Sequence, residues 1–177
     1  MAGDLDFGDL LQLRDRLEQL SLDADAINEK IVKELAARVL AKVIKRTPVG
    51  LYGRKVKFTA KRDSKNRKKG DVYEKFVKTK GKNGGTLRRG WTGGVEQSVE
   101  DYLDSINVTK KGTTYEIKIQ NNVFYAPYVE YGHRLRNGGW WEGYHMLQIS
   151  MDEVDARSEA IISQRINEAL RKAMGDR

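Results

Sequence analysis

The chain has 177 residues, 39% of them hydrophobic and 33% charged, with a net charge of +8 and a sequence pI near 9.6. That size supports one domain with a modest core and a polar excursion, and the basic balance favours phosphate or an acidic protein surface as partner. No cysteine occurs, which excludes disulfides, thiolate nucleophiles and thiolate metal sites; no apolar run approaches the length of a bilayer span.

The opening MAGDLDFGDL lacks the basic-then-apolar layout of a signal peptide, so a soluble cytoplasmic product is expected. Leu10, Leu13, Leu17 and Leu20 then fall at helical spacing. The polar, acidic stretch 21–25 reads as the cap of a second helix. That helix, over 26–46, carries the strongest pattern in the chain. Ile27, Ile31, Leu35, Val39 and Val43 recur every four residues, and Val32, Leu40 and Ile44 widen the stripe. Pro48 marks its end, because the residue before a proline avoids helical geometry. Lys42, Lys45 and Arg46 sit in the last turn, where the helix dipole favours cations.

From Arg54 to Arg89 stand 15 Lys or Arg against three acids, Asp63, Asp71 and Glu74. The block is net +12 in a chain of +8, so the remainder is mildly acidic at −4. Lys61, Arg62, Lys65, Arg67, Lys68 and Lys69 crowd its middle and are the expected contacts to DNA or to an acidic partner. Val56 and Phe58 alternate, and Tyr73, Lys75 and Val77 do so more weakly. This predicts a β-hairpin arm with its tip at 63–70. A solvated, disordered loop is the competing reading, since like charges repel.

Beyond Trp91 the period shifts to two. Ile106 and Val108 share one face of 105–109, and Tyr115, Ile117 and Ile119 share one face of 114–120, with Lys110-Lys111-Gly112 as the turn between them. Asn121 and Asn122 break the pattern. Pro127 argues against a central strand, and 129–131 opens either a short helix or an edge strand. Residues 133–143 read as a loop containing Gly and Trp. The stretch 151–174 is helical, with Val154, Ile161, Ile162, Ile166, Ala169, Leu170 and Ala173 in its stripe. The order implies an α+β fold: a long N-terminal amphipathic helix and a C-terminal helix packed on a small antiparallel sheet. One domain over 1–177 is expected, with an N-terminal extension (1–25), a basic insertion (50–85) and a core (26–49 and 86–174).

No constellation of residues supports catalysis, a metal or a cofactor. His133 and His145 lie twelve residues apart without metal-ligand spacing. Glu100, Asp101 and Asp104 cluster without a metal pattern, and better fit a solvated helix or strand end. Neither a Ser elbow nor a phosphate-cradling glycine loop occurs. Trp140 and Trp141 are adjacent, so on a strand they face opposite ways. Tyr125, Tyr128 and Tyr131 recur every three residues. Core packing and a subunit interface both fit these aromatics.

Three fragments carry a resemblance. Thr47-Pro48-Val49 follows the long helix. Gly85-Thr86-Leu87-Arg88-Arg89-Gly90-Trp91 follows the basic block. Asn121-Asn122-Val123-Phe124-Tyr125-Ala126-Pro127-Tyr128-Val129-Glu130-Tyr131-Gly132 closes the β region. Together, over roughly 27–174, they resemble the tail-component family of long-tailed bacteriophages, small proteins of the head–tail joining or neck region also called tail-completion proteins. The chain departs from that pattern where the basic block replaces a turn of two or three residues. Smaller departures are Gly90-Trp91 in place of a Ser-apolar pair and His133 where Thr is common.

The resemblance implies a structural, non-enzymatic virion protein, made in the host bacterial cytoplasm. It implies a ring in the phage neck that lines or flanks the DNA channel, a hexamer by first expectation and a dodecamer by second, with a tail-terminator ring as the alternative position. The implied partners are further copies, adjacent connector and tail-tube or terminator proteins, and double-stranded DNA gripped without sequence reading; no membrane is involved. Composition alone keeps a second class open, a non-specific nucleic-acid-binding module, although no zinc pattern or helix-turn-helix accompanies the charge. The interface candidates are Arg88, Arg89, Trp91, Tyr125, Tyr128, Glu130, Tyr131, Trp140 and Trp141. Arg88 and Arg89 are expected to lock loop to sheet. Glu130 is expected either to pair with a neighbour's arginine or to sit in solvent, and the two tryptophans to anchor the next ring.

Overall fold

The computed structural model describes residues 7–79, 84–95 and 97–175. The first six residues and Lys80 to Asn83 of the basic block lie outside them. The longest element, α1, runs unbroken over Phe7–Arg46. The boundary expected at 21–25 does not form. No Gly or Pro occurs between Gly8 and Pro48, and Ser and Asp weaken a helix only by tenths of a kcal/mol, so a helix nucleated on either side propagates through them. Asp25 is no cap: its carboxylate accepts from Lys110 Nζ at 2.7 Å and from the Tyr115 hydroxyl.

The C-terminal helix, α5 over Met146–Met174, begins five residues earlier than its apolar stripe predicts. It lies antiparallel along α1. Lys42 pairs with Glu153 at 2.6 Å, and Arg46 reaches both Glu153 and the Ser150 hydroxyl. Arg165 pairs with Glu34 at 2.7 Å, and Arg16 donates to the Met174 carbonyl at 2.9 Å. The core sits at the C-terminal end of α1. There Ala36, Leu40 and Val43 bury themselves against Leu87, Trp91, Leu103, Ala126 and Met146.

The fold is α+β, and its strands form three separate two-stranded antiparallel sheets. The first is the predicted arm, β1 (Arg54–Thr59) with β2 (Val72–Val77). The short helix α2 (Thr86–Arg89) and a 3₁₀ turn (Gly90–Thr92) then carry Leu87 and Trp91 into the core. Next comes α3 (Val99–Asp104), a helix that strand-period reasoning did not anticipate. Its signal is local: the Ser98 side chain accepts from the Asp101 N–H at 3.0 Å, and Glu100 and Asp101 occupy the first turn. The second sheet pairs β3 (Thr109–Lys111) with β4 (Thr114–Glu116), shorter than predicted. Lys110 and Lys111 belong to the strand, and the turn falls at Gly112, whose φ is 61°. Ile106, Val108, Ile117 and Ile119 are half-buried without joining the ladder.

The 129–131 ambiguity resolves to a helix, α4 (Ala126–Tyr131), with Pro127 in the first turn, where no N–H is required. The expected loop at 133–143 instead holds the third sheet, β5 (Gly132–Arg134) with β6 (Trp140–Glu142). A Cβ at Gly132 (φ 88°) or at Gly143 would overlap a carbonyl oxygen, of Trp141 and of Glu130 respectively. Both positions therefore require glycine for this chain reversal.

Candidate functional site: a basic arm and the aromatic groove at its root

The arm is a ribbon with two faces. Residues directly opposite one another share a face, so Val56, Phe58, Tyr73 and Val77 gather on one side, and Phe76 and Val72 on the other. Phe58 and Tyr73 stack at 5.8 Å, and the Arg67 guanidinium lies 3.7 Å above the Tyr73 ring. The two acids at the tip are spent on its backbone: Asp63 accepts from the Lys69 N–H and Asp71 from the Lys68 N–H, each at 2.7 Å. A bridge between Ser64 and Arg67 and the left-handed Gly70 (φ 98°) complete the turn.

Every residue from Lys61 to Gly70 is exposed. Among the described residues the single ion pair within the arm is Lys57–Glu74, at 4.0 Å. The predicted cluster Lys61, Arg62, Lys65, Arg67, Lys68 and Lys69 is thus brought together on one tip, where Asp63 and Asp71 are its only acids and none of the six cations makes an ion pair among the described residues. Neither strand packs extensively on a helix. A lone two-stranded ribbon is marginal in water, so contact with a partner would add to its order.

At the arm's root lies an open groove of about 720 Å³, lined by Pro48, Val49, Tyr52, Leu87, Tyr125, Val129, Trp141 and Tyr144. Trp141 and Tyr144 in its wall lie 5.4 Å apart, and from Trp141 a run of rings leads away to His133 at 5.2 Å and on to Tyr128 at 6.3 Å. In the same 124–140 stretch Phe124, Tyr128, Tyr131 and Trp140 are 86%, 57%, 63% and 63% exposed. Monomeric surfaces seldom leave so many large rings in water. Trp140 and Trp141 do face opposite ways on β6, one exposed and one half-buried. Phe124, Tyr144 and Tyr52 belong to this surface too. Pattern reading missed them because isolated aromatics in loops carry no period.

Three interface candidates turn inward. Trp91 is 3% exposed, and its Nε1–H donates to the Thr47 hydroxyl at 2.8 Å. That hydroxyl in turn donates to the Val43 carbonyl at 2.6 Å. Arg88 donates to the Thr47 carbonyl at 2.9 Å, so it locks α2 to the end of α1 rather than loop to sheet. Glu130 is 5% exposed within the chain, so solvent does not receive it. Its carboxylate accepts the Leu147 N–H at 3.0 Å and the Gln148 N–H at 3.0 Å. The start of α5 supplies orphan donors and a positive dipole end, which a buried carboxylate satisfies. Arg89 stays at the root, donating to the Gly84 carbonyl at 3.4 Å.

The three sequence fragments meet at this corner. Asn121 Nδ2 donates to the Leu87 carbonyl at 2.8 Å, and the Asn122 N–H donates to the Gly90 carbonyl at 3.2 Å. Thr47 binds both Arg88 and Trp91. Among the described residues no group of three or more His, Cys, Asp or Glu is placed to hold a metal ion, and no helix is long and apolar enough to cross a membrane. The family model described as "Bacteriophage HK97-gp10, putative tail-component" matches residues 12–132. No curated protein and no solved structure matches the chain.

Proposed function

The chain belongs to the HK97 gp10-like family of bacteriophage tail components, and from that membership we propose that its copies close into a ring at the head–tail junction, with the basic arm on passing DNA. A tail component is a part of the virion and works against other virion proteins; its role is structural. The observation that carries the finer reading is the arm. A ribbon with six exposed cations against two acids at its tip stands off a mildly acidic body.

Phosphate is the common chemistry of any passing duplex, and cations without base-reading geometry grip it regardless of sequence. Five or six phosphate contacts give a log–log salt slope of about −5, a grip that salt loosens readily. The exposed rings around the root groove supply the apolar contact that ring neighbours need. A ring follows when one such contact repeats until it closes. The same ring at the end of the tail tube, as a terminator, would differ in its neighbours and not in this geometry.

The arm can be removed cleanly, because its ends meet: the Gly53 N–H donates to the Val77 carbonyl at 2.6 Å. Residues 54–77 are replaced by a short Gly-Ser turn, and binding to a mixed-sequence duplex is followed by anisotropy across a salt series. Loss of most affinity and of the salt slope is expected. Unchanged binding refutes the DNA role. Microscopy of the virion neck that finds no ring of this chain refutes the assembly.

A further inference from the structure

The unbroken α1 has a consequence for the other end of the molecule. α5 closes at Gly175, in a left-handed cap (φ 85°) whose N–H returns to the Arg171 and Lys172 carbonyls. Arg16 touches the Met174 carbonyl there. The first turns of α1 therefore run past the end of α5. Leu10 and Leu17 on this overhang are 54% and 48% exposed.

Beside it, between α1 and α5, lies an open apolar groove of about 220 Å³ lined by Leu20, Ala24, Ile27, Ile166, Ala169 and Leu170. Ile166, Leu170 and Met174 stand four residues apart along α5 and are 41%, 38% and 44% exposed. At 100° per residue, Leu10, Leu13 and Leu17 each fall within about 20° of Ala24 or Asn28, two of the α1 residues that line that groove. Overhang and groove thus form one apolar strip on one side of the helix pair. The overhang cannot fold back into its own groove, because α1 is continuous and leads away from it.

We propose that the free chain pairs with a second copy across this strip, each overhang lying antiparallel in the other's α1–α5 groove. The surface is self-complementary under a two-fold axis near Leu20: Leu10 to Leu17 spans roughly 10 Å of helix axis and Ile166 to Met174 roughly 12 Å, and both runs are apolar and exposed. Reciprocal exchange of the same patch is what a closed dimer requires. Each overhang becomes the third helix of its partner's pair, with Leu10, Leu13 and Leu17 as anchors at helical spacing. Nucleation of the overhang is already met by the rest of α1. This pairing is independent of the ring reading, since a ring of copies pointing one way uses a head-to-tail contact.

Two experiments on the full chain test it. The sequence has no cysteine, so L13C/L170C introduces the only two thiols. Within one copy they sit roughly 18 Å apart along the helix axis, beyond the reach of a disulfide. Oxidation is expected to give a covalent dimer that stops at two copies, with neither single variant cross-linking. A ladder of higher species, self-linking of L13C alone, or no product overturns the pairing. In sedimentation equilibrium, L10E/L17E is expected to weaken the dimer at least about 100-fold with its helical circular dichroism kept. A variant that dimerises like the wild type, or a wild type that is monomeric, overturns it. A wild-type hexamer without the L13C/L170C link also overturns it while favouring the ring.

Discussion

Glu130 separates a folding role from an assembly role, because the residue sits in the family string yet turns inward. Replacing it with Gln keeps the volume and removes the charge. One oxygen becomes an NH₂ facing the N–H groups of Leu147 and Gln148, so at least one of the contacts near 3.0 Å is lost. A hydrogen bond to a charged group contributes about 1.5–3 kcal/mol. A partly buried charge at a helix end adds up to ~2 kcal/mol. The two overlap, so a loss of about 2–4 kcal/mol is expected. For a chain of this size, 1 kcal/mol moves the midpoint by about 2–4 °C, which puts the E130Q transition roughly 4–16 °C below wild type in a thermal melt. Below that transition the variant should sediment as the wild type does, because the carboxylate's hydrogen bonds are made within the chain, to the start of α5. An unchanged melt together with lost assembly would refute the reasoning and return Glu130 to an interface.

Thr47→Val is nearly isosteric but strands the Trp91 indole N–H, and an unpaired buried donor costs about 1–3 kcal/mol. The same change in a W91F background should cost less in chemical denaturation, and equal costs would break the link. Gly143→Ala should prevent folding or lower stability by several kcal/mol, since its Cβ has no space beside the Glu130 carbonyl; a melt close to wild type would contradict the tight reversal. Glu34 is held down to about 2 by hydrogen bonds from Arg165 and then Arg38. A carboxylate lowered by folding stabilises fully above its ordinary value and loses that contribution as pH falls toward the folded one. About 1 kcal/mol, after solvent screening, should vanish between roughly pH 4.5 and 2, and E34Q should flatten that part of the pH–stability curve.

Periodic features were legible in the sequence. The four-residue repeat from Ile27 to Val43 marks the buried side of α1, and the alternation of Val56 and Phe58 marks the arm. Features that depend on closure in space were not. Thr47 and Trp91 are 44 residues apart, with the arm between them, and only the folded corner shows that they bond. Glu130 reads in sequence as solvated or paired with a neighbour's arginine, because nothing local announces that the chain reverses at Gly132 and Gly143 to bring the start of α5 over it. The 21–25 stretch misled for the opposite reason. Its Ser and Asp residues are good caps, but a cap forms only where the helix must stop, and no breaker stands there.

The place of the arm explains how the fold carries so long a ribbon between α1 and α2. The segments on either side of it, Thr47-Pro48-Val49 and Leu87-Arg88, are fastened by the Arg88–Thr47 contact, with Thr47 and Leu87 both buried. The ribbon leaves and returns at nearly one point, where the Gly53 N–H meets the Val77 carbonyl. Inserting it therefore lengthens a connection whose ends are already held together, and closure entropy grows only as the logarithm of loop length. The tip acids serve the tip backbone, and the arm cations make no ion pair with the body among the described residues. Charge on the arm can then vary with little effect on the fold, which separates the part proposed to touch DNA from the part that holds the molecule together. Neutralising Lys61, Lys65 and Lys69 together with Gln should accordingly leave the melt within about 0.5 kcal/mol of wild type while the salt slope for duplex binding falls by about 3. A large loss of stability would show that the arm is part of the core.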